Sequence, residues 1–186
     1  HAIVGLRAQR EADLGLMLAN FRAGPVGVRP HEDVAYPFHA RQAGDLQQAL
    51  APHGLFYPPD PASLDSCTIG GNIAEDAGGP RAVKYGVTQD YVAGLEAVLP
   101  SGEIITCGGK LVKDVTGYNL VKLLVGSEGT LAVITEATLK LTPLPKYKGL
   151  LVAHFGDLPM AMEATPVCLE HEPAAVELVD RLVLDA

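Results

Sequence analysis

The chain has 186 residues, of which 48% are apolar and 19% are charged, and its formal net charge is -8. These values are typical of a globular protein of one domain, or of one domain with part of a second, rather than of a disordered chain. The acidic balance disfavours a nucleic-acid partner, because binding phosphates needs clustered Lys and Arg. We expect no membrane span, because no apolar run approaches the roughly 20 residues that a span needs, and no secretory signal, because no basic segment leads into an apolar core at the N-terminus.

The first third of the chain gives weak structural signals. Residues 1–20 predict an irregular amphipathic helix, and residues 22–42 show no clear period. Residues 44–53 predict a short helix that begins with Asp45 as its cap. The apolar face of this helix comprises Leu46, Ala49 and Leu50, and Pro52 with Gly54 ends it.

A β-hairpin is predicted at residues 91–107. Residues 91–99 alternate apolar side chains, residues 104–107 supply the partner strand, and residues 100–103 contain the Pro and Gly that a turn uses. Residues 118–125 then predict a short buried helix that ends at Gly126. Its apolar residues are Leu120, Val121, Leu123 and Leu124.

The last third predicts further β structure. Residues 130–135 and 137–141 predict two β segments, which the prolines of residues 142–145 end. Residues 150–155 are a strand candidate, and residues 174–184 fit either a strand followed by a helix or a single helix.

The three cysteines, Cys67, Cys107 and Cys168, lack the C-x-x-C spacing of a zinc site and are odd in number. They argue against a disulfide framework and favour a reducing cytoplasm. We interpret Cys67 as a small buried residue, and we predict no metal site.

Four glycines, Gly70, Gly71, Gly78 and Gly79, lie within ten residues. Such density is typical of turns with positive φ, or of backbone held close to an anionic ligand whose phosphate oxygens accept from free N–H groups. The segment matches neither the G-x-x-x-x-G-K-[ST] loop nor the G-x-G-x-x-G fingerprint. A phosphate ligand here therefore needs a different scaffold.

Longer segments around these glycines resemble a known family. Residues 57–63, 67–79 and 84–86 are similar to the FAD domain of the vanillyl-alcohol-oxidase/para-cresol-methylhydroxylase (PCMH) type. Residues 108–120 and 126–137 resemble the branch that contains D-lactate dehydrogenase and the D-type flavin subunit of glycolate oxidase.

The resemblance implies an α+β fold, with a PCMH-type FAD-binding domain at residues 1–146. The start of a ferredoxin-like cap domain would follow at residues 147–186, which reads as truncated. The implied activity is oxidation of a small 2-hydroxy acid, glycolate or D-lactate, by hydride transfer to the flavin, with a possible iron-sulfur partner subunit. Two alternatives stay open: a same-fold enzyme similar to alkylglycerone-phosphate synthase, and a non-catalytic flavin subunit.

The resemblance also implies which residues contact FAD. Residues 60–79 would approach the pyrophosphate and flavin, and residues 128–134 the adenosine; the catalytic residues would lie outside the chain. The implied contacts are Asp60, Pro61, Ala62, Ser63, Cys67, Thr68, Gly70, Gly71, Asn72, Ala74, Gly78, Gly79, Glu128, Gly129, Thr130, Val133 and Ile134. Glu128 fits a ribose acceptor and a turn cap about equally well.

Two departures from the family pattern stand out. Asp76 occupies a position where relatives usually carry Asn, and an ionised Asp cannot donate a hydrogen bond. The first phosphate-binding loop of the family, which should precede residue 42, is missing. We interpret this as residues omitted from the sequence, which would weaken the hold on FAD.

Overall fold

The computed structural model describes residues 18–22, 35–36, 42–111 and 113–180, and for 18–22 and 35–36 it describes the backbone. The strands are β1 (Leu18–Arg22), β2 (Ala35–Tyr36), β3 (Leu55–Phe56), β4 (Val92–Val98), β5 (Ile104–Gly108), β6 (Val133–Lys140) and β7 (Thr142–Pro143). The helices are α1 (Ala43–Leu50), α2 (Ile69–Glu75), α3 (Ala82–Tyr85), α4 (Thr88–Tyr91), α5 (Leu120–Leu124) and α6 (Leu158–Leu169), and a 3₁₀ turn, Ala51–His53, follows α1.

Within the described residues, the main sheet has five strands in the order β2-β1-β6-β4-β5. Strand β6 pairs antiparallel with both β1 and β4, and β4 pairs antiparallel with β5, whereas β2 is parallel to β1. A second, two-stranded sheet joins β3 to β7. This largely antiparallel sheet with separate helices confirms the predicted α+β class.

The core lies between the main sheet and helices α1, α2 and α5. On β4 the buried Val92 and Leu95 are three residues apart, because the register of β4 against β6 shifts between Val92 and Gly94. On β6 Ala137 and Leu139 alternate, because successive side chains of a strand face opposite sides, and both point into the core. Its buried apolar residues are Ala43, Leu46, Leu50, Tyr57, Ile69, Ile73, Val92, Leu95, Ala97, Val121, Leu124, Val125, Ala132, Ala137, Leu139 and Leu141.

The predicted hairpin is confirmed. Strands β4 and β5 pair with Leu95 opposite Cys107 and Val98 opposite Ile104. The turn closes through Gly102, whose N–H donates to the Leu99 oxygen at 2.8 Å. Gly102 has φ +85°, a left-handed value that favours glycine.

The helix predicted at 44–53 is confirmed, but the prediction of Asp45 as its N-cap is wrong. Helix α1 begins at Ala43 with Gln42 as N-cap, and no side chain caps it. Gln42 also forms an isolated antiparallel bridge with Thr68. Because that bridge fixes where the chain turns into the helix, Asp45 lies in the first turn, and its N–H donates to the Gln42 oxygen at 3.1 Å.

Two predictions for the second half need correction. Residues 130–135 and 137–141 are not two β segments, because β6 runs without a break through Glu136, which pairs with β1 and β4 at once. Helix α5 is confirmed, but only Val121 and Leu124 are buried on it, whereas Leu120 and Leu123 are exposed. A helix of five residues has one face toward the core, so it cannot bury four leucines and valines.

Predictions near the two ends of the chain were less successful. The helix predicted at 1–20 is wrong for residues 18–20, which belong to β1, and residues 1–17 lie outside the described part. Residues 150–155 form no strand, and residues 174–180 form neither strand nor helix; residues 181–186 are not described. A strand needs a partner edge for its backbone groups, and residues 150–155 pair with none in the described ranges.

Helix α6 was not predicted. It contains Pro159 in its first turn and Pro166 in its interior, and an interior proline argues against a helix from sequence. Asp157 nevertheless caps it, with its Oδ1 accepting from the Met160 N–H at 2.9 Å. No residue of α6 is buried.

We expect Leu139→Ala to lower the free energy of unfolding by about 2–5 kcal/mol, because Leu139 lies fully buried in β6 and its removal leaves a cavity. Leu151→Ala is the matched control, since Leu151 is 87% exposed and the same truncation there should change stability by less than about 0.5 kcal/mol. Urea denaturation followed by circular dichroism measures both. Equal effects of the two truncations would contradict this core.

Candidate functional site

Helix α2 is the element around which the predicted cofactor residues are arranged. Thr68 is its N-cap, and the Thr68 Oγ1 accepts from the Gly71 N–H at 3.0 Å. A Cβ on Gly71 would lie 3.2 Å from that oxygen, which is a tight contact. The N–H of Gly70, in the same first turn, has no acceptor within the helix, as is general for this position.

Residues 60–67 form a series of turns that precedes α2. The Leu64 N–H donates to the Pro61 oxygen at 2.9 Å, and the Cys67 N–H donates to the Ser63 oxygen at 2.7 Å. The Ala43 N–H donates in turn to the Cys67 oxygen at 2.9 Å. This hydrogen bond from the start of α1 holds the turns beside the first turn of α2. Ala62 and Ser63 are exposed in these turns.

Gly79 shows why a side chain is excluded at one end of the glycine cluster. Its φ is +147°, and a Cβ there would lie 1.9 Å from the Asp60 oxygen. The Asp60 carboxylate also pairs with Arg81, at 2.8 Å between Nε and Oδ2. A Cβ on Gly78, by contrast, would make an ordinary contact of 3.4 Å with Val87. The glycine at position 79 is thus required by contact between two segments of this chain.

The other end of α2 is joined to the turn at residues 126–130. The Gly126 N–H donates to the Ile73 oxygen at 3.0 Å, and the Glu128 N–H donates to the Ala74 oxygen at 2.8 Å. These donors satisfy carbonyl groups that a helix leaves unpaired at its C-terminus. Glu128 itself is exposed, with φ +52°.

The remaining predicted contacts lie in that turn and at the start of β6. Gly129 and Thr130 are exposed in the turn, where the Thr130 hydroxyl donates to the Ser127 oxygen at 2.6 Å. Val133 is 65% exposed, whereas Ile134 packs against the core. The fold thus brings residues 60–79 and 126–130 together on α2 and leaves Val133 and Ile134 on the neighbouring strand.

Asn72 is the most unusual polar residue of the cluster. The residue is 2% exposed, and its Nδ2 has no hydrogen-bond acceptor in the described structure. A buried donor without a partner costs about 1–3 kcal/mol, so such groups are uncommon in folded proteins. An unpaired amide on α2 fits a ligand that carries acceptor oxygens, as FAD does.

Asp76 has a structural role that the sequence did not reveal. It is the C-cap of α2 at φ +53°, and its Oδ1 accepts from the Gln89 N–H at 2.7 Å in the first turn of α4. Its carboxylate therefore joins two helices. Either Asp or Asn can supply that acceptor, and both tolerate the left-handed conformation.

A separate groove of about 220 Å³ lies along strands β4, β5 and β6 of the main sheet. It is lined by Gly94, Leu95, Glu96, Thr106, Cys107, Gly108, Gly109, Glu136 and Thr138. Burial raises the pKa of the Cys107 thiol, so this cysteine stays protonated at neutral pH. The groove does not include the predicted cofactor residues.

Sequence reasoning missed the part that Gly94 plays beside this groove. A Cβ on Gly94 would lie 2.7 Å from the Gly109 nitrogen, so the hairpin end closes only with glycine there. The available signal was a glycine within an otherwise regular strand, which often marks a close backbone approach.

Comparison with known proteins finds a family match that includes helix α2. Residues 41–108 match the family described as an FAD binding domain. This stretch of the chain, which includes helix α2, is thus similar to an FAD-binding domain. The chain is 50% identical over 142 residues to glycolate oxidase subunit GlcD of Bacillus subtilis, and this alignment covers 75% of the chain and 30% of that relative.

Other relatives carry related names. The chain is 44% identical over 142 residues to a D-lactate dehydrogenase of Anaerostipes hadrus, with the same 75% and 30% coverage. A solved structure of alkyldihydroxyacetonephosphate synthase matches 57% of the chain and 18% of its own length, at 31% identity and a TM-score of 0.49. The chain therefore spans about 30% of the length of the curated relatives it matches.

Membrane spans and metal clusters are both absent from the described residues. None of their helices has the length and apolar character needed to cross a bilayer. They contain no group of three or more His, Cys, Asp or Glu side chains placed to hold a metal ion.

We expect Gly79→Ala to lower the free energy of unfolding by about 1–3 kcal/mol more than Gly109→Ala does, because only the first places a Cβ against backbone. The control is closely matched, since Gly109 has φ +146° and open space around its Cβ position. Urea denaturation of both variants gives the difference. Equal destabilisation would mean that backbone strain alone accounts for the glycine at 79.

For Asp76 we expect Asp76→Asn to change stability by less than about 0.5 kcal/mol, because Asn keeps both the acceptor oxygen and the tolerance of positive φ. Asp76→Ala should cost about 1–3 kcal/mol, because it leaves the Gln89 N–H without its acceptor. Thermal and urea unfolding compare the pair. A large loss in Asp76→Asn would show that the negative charge itself is needed.

Proposed function

We propose that this chain is the FAD-binding part of a flavoenzyme that oxidises a small 2-hydroxy acid such as glycolate or D-lactate. The observation that carries the proposal is the meeting of residues 60–79 and 126–130 at helix α2. Relatives named for glycolate oxidase and D-lactate dehydrogenase, at 44–50% identity, support this choice of substrate class.

In this proposal the first turn of α2 faces the pyrophosphate. The N–H of Gly70 and the small profile of Gly71 allow phosphate oxygens to approach the backbone. The Nδ2 of Asn72 supplies a side-chain donor, which removes the cost of leaving it unpaired. Glu128 lies at the far end of α2, and we assign the turn that contains it to the adenosine side.

FAD, when bound, supplies the acceptor for the hydride that leaves the substrate α-carbon. The residues of this chain bind and orient the cofactor, and we place the base and the carboxylate-binding arginine outside residues 1–186. We divide the chain at about residue 146, with the start of a ferredoxin-like cap domain at 147–186. A relative named as a subunit supports a multi-subunit enzyme, and we propose an iron-sulfur partner and a cytoplasmic location.

Titration of the purified chain with FAD, followed by flavin fluorescence and absorbance, tests the cofactor site. We expect saturable binding that ADP competes with and that is stronger for FAD than for riboflavin, because the proposed contacts are to the pyrophosphate. A chain that binds no FAD would favour the alternative of a non-catalytic flavin subunit. The full-length enzyme should then reduce bound FAD with glycolate or D-lactate in the absence of oxygen.

Asn72→Leu separates a cofactor role from a structural one. We expect FAD affinity to fall about tenfold, because one buried hydrogen bond to the cofactor is lost. Stability without FAD should hold or rise, since the substitution removes an unpaired buried amide. Asn119→Ala is the control, because Asn119 caps α5 by accepting from the Lys122 N–H and should lower stability without changing affinity. The same pattern in both variants would count against the role of Asn72.

A further inference from the structure

Asp60 lies where the chain leaves the core and enters the predicted cofactor turns. Residues 57–59 before it are fully buried, whereas residues 62–63 after it are exposed. The Gln47 side chain accepts from the Tyr57 N–H at 3.2 Å and also donates to the Tyr57 oxygen, so both backbone groups of Tyr57 are bound. The position of Asp60 therefore decides where the turns begin.

The far end of these turns is held by helix α1. The Gly44 N–H donates to the Leu64 oxygen at 3.2 Å, and the Ala43 N–H donates to the Cys67 oxygen at 2.9 Å. Both donors belong to the first turn of α1, whose buried residues are part of the core. These bonds reach residues 64–67 and not Asp60, so the start of the turns depends on other contacts.

Arg81 supplies a contact at that start, from the N-cap position of helix α3. Its Nε lies 2.8 Å from the Asp60 Oδ2, and the two side chains are 32% and 19% exposed. The Arg81 oxygen accepts from the N–H groups of Lys84 and Tyr85, at 3.1 and 2.9 Å. The Tyr85 ring packs edge to face on Phe56, with centroids 5.5 Å apart. The guanidinium thus projects from a helix that packs on the strand leading to Asp60.

Gly79 contacts the backbone of the same aspartate. A Cβ on Gly79 would lie 1.9 Å from the Asp60 oxygen, so the two backbones are already in contact. The Gly79 oxygen accepts from the Ala82 N–H at 2.9 Å, which places Gly79 and Arg81 in one turn. Close contact limits how near the segments come, whereas a charge-assisted hydrogen bond also sets direction. Arg81 is therefore the residue that orients the Asp60 carboxylate.

We propose that Arg81 is a positioning residue of the proposed cofactor site and acts through Asp60. Its ion pair fixes the start of the turns at residues 61–67 and neutralises the Asp60 carboxylate. Residues 60–79 contain four acidic residues and neither Lys nor Arg, so an unpaired carboxylate there would repel the pyrophosphate. The inference rests on the proposed function, because the turns need FAD as the ligand that they face.

Direct contact between Arg81 and a phosphate is the competing role, since guanidinium groups bind phosphate well. The two roles differ in their dependence on Asp60. A direct contact is lost with Arg81 whether or not position 60 carries a charge. A positioning role disappears once position 60 is neutral, because no carboxylate is then left to orient. A double-mutant cycle between the two positions separates these cases.

The test is titration of the purified chain with FAD, for wild type, Arg81→Gln, Asp60→Asn and the double variant. We expect Arg81→Gln to weaken FAD binding about tenfold in the wild-type background and less than about twofold in the Asp60→Asn background. An equal loss in both backgrounds means direct phosphate contact and overturns the proposal. No loss in either background also overturns it and leaves the proposed function intact, whereas a wild-type chain that binds no FAD overturns both.

Riboflavin provides a readout that a general loss of structure would not give. It lacks the pyrophosphate, so we expect Arg81→Gln to bind it as wild type does and to lose selectivity for FAD about tenfold. Equal weakening of FAD and riboflavin would overturn the proposal. Arg81→Lys keeps the charge beside Asp60 and should bind FAD more tightly than Arg81→Gln. If the two variants bind FAD equally, the charge at position 81 has no role.

Lys122→Gln is the matched control. It removes one positive charge and an exposed ion pair with Asp90, whose Oδ1 lies 3.9 Å from the Lys122 Nζ. We expect its FAD affinity to stay within about twofold of wild type. A loss as large as that of Arg81→Gln would assign the effect to net charge and overturn the proposal. Urea denaturation confirms that every variant is folded before its affinity is compared.

Discussion

The structure around the predicted cofactor residues depends on one constraint: the backbone N–H and C=O groups at both ends of helix α2 need hydrogen-bond partners. A helix of seven residues leaves most of its terminal N–H and C=O groups without internal partners. At the first turn Thr68 supplies a hydroxyl acceptor, and at the last turn the N–H groups of Gly126 and Glu128 reach the Ile73 and Ala74 oxygens. The second set of donors comes from about fifty residues further along the chain, so α2 is complete only when β6 and its preceding turn are in place.

The same helix gives the glycine cluster two different physical roles. Gly70 and Gly71 lie in the first turn of α2, where the Gly71 N–H donates to the Thr68 hydroxyl and only the Gly70 N–H has no acceptor within the helix. Gly79 contacts the Asp60 backbone instead, so its requirement arises within the protein. Density of glycine in a sequence therefore does not by itself say which glycine meets a cofactor. Here contact within the chain explains Gly79, whereas contact of Gly70 and Gly71 with a ligand stays a prediction.

Burial differs sharply between the core and the C-terminal region that contains α6. The core between β4, β6 and the helices α1, α2 and α5 is filled by aliphatic side chains and Tyr57, all almost fully buried, whereas α6 has no buried residue. The contact between the two regions includes a hydrogen bond from the Lys84 Nζ to the Glu172 oxygen at 3.0 Å, in an exposed setting. Exposed polar contacts of this kind contribute little to stability. The buried core thus draws on residues from Ala43 to Leu141, and the acidic residues 156–180 do not contribute to it.

Sequence alone determined the elements whose signals are local. The 92–98 and 104–108 hairpin, helix α1 and helix α5 follow from alternation, apolar spacing and the glycines that end them. The resemblance to FAD domains came from short motifs whose residues are adjacent in the chain, and the match to residues 41–108 agrees with it. The individual cofactor contacts stay a prediction.

Only the tertiary structure decided the features that depend on distant residues. The continuity of β6 follows from pairing with β1 and β4, and the start of α1 at Ala43 follows from the bridge between Gln42 and Thr68. The acceptor role of Asp76 and the contact of Gly79 with Asp60 likewise join segments more than ten residues apart. A local pattern states which conformations a segment favours, whereas hydrogen bonds and close contacts between segments exist only after the chain has folded.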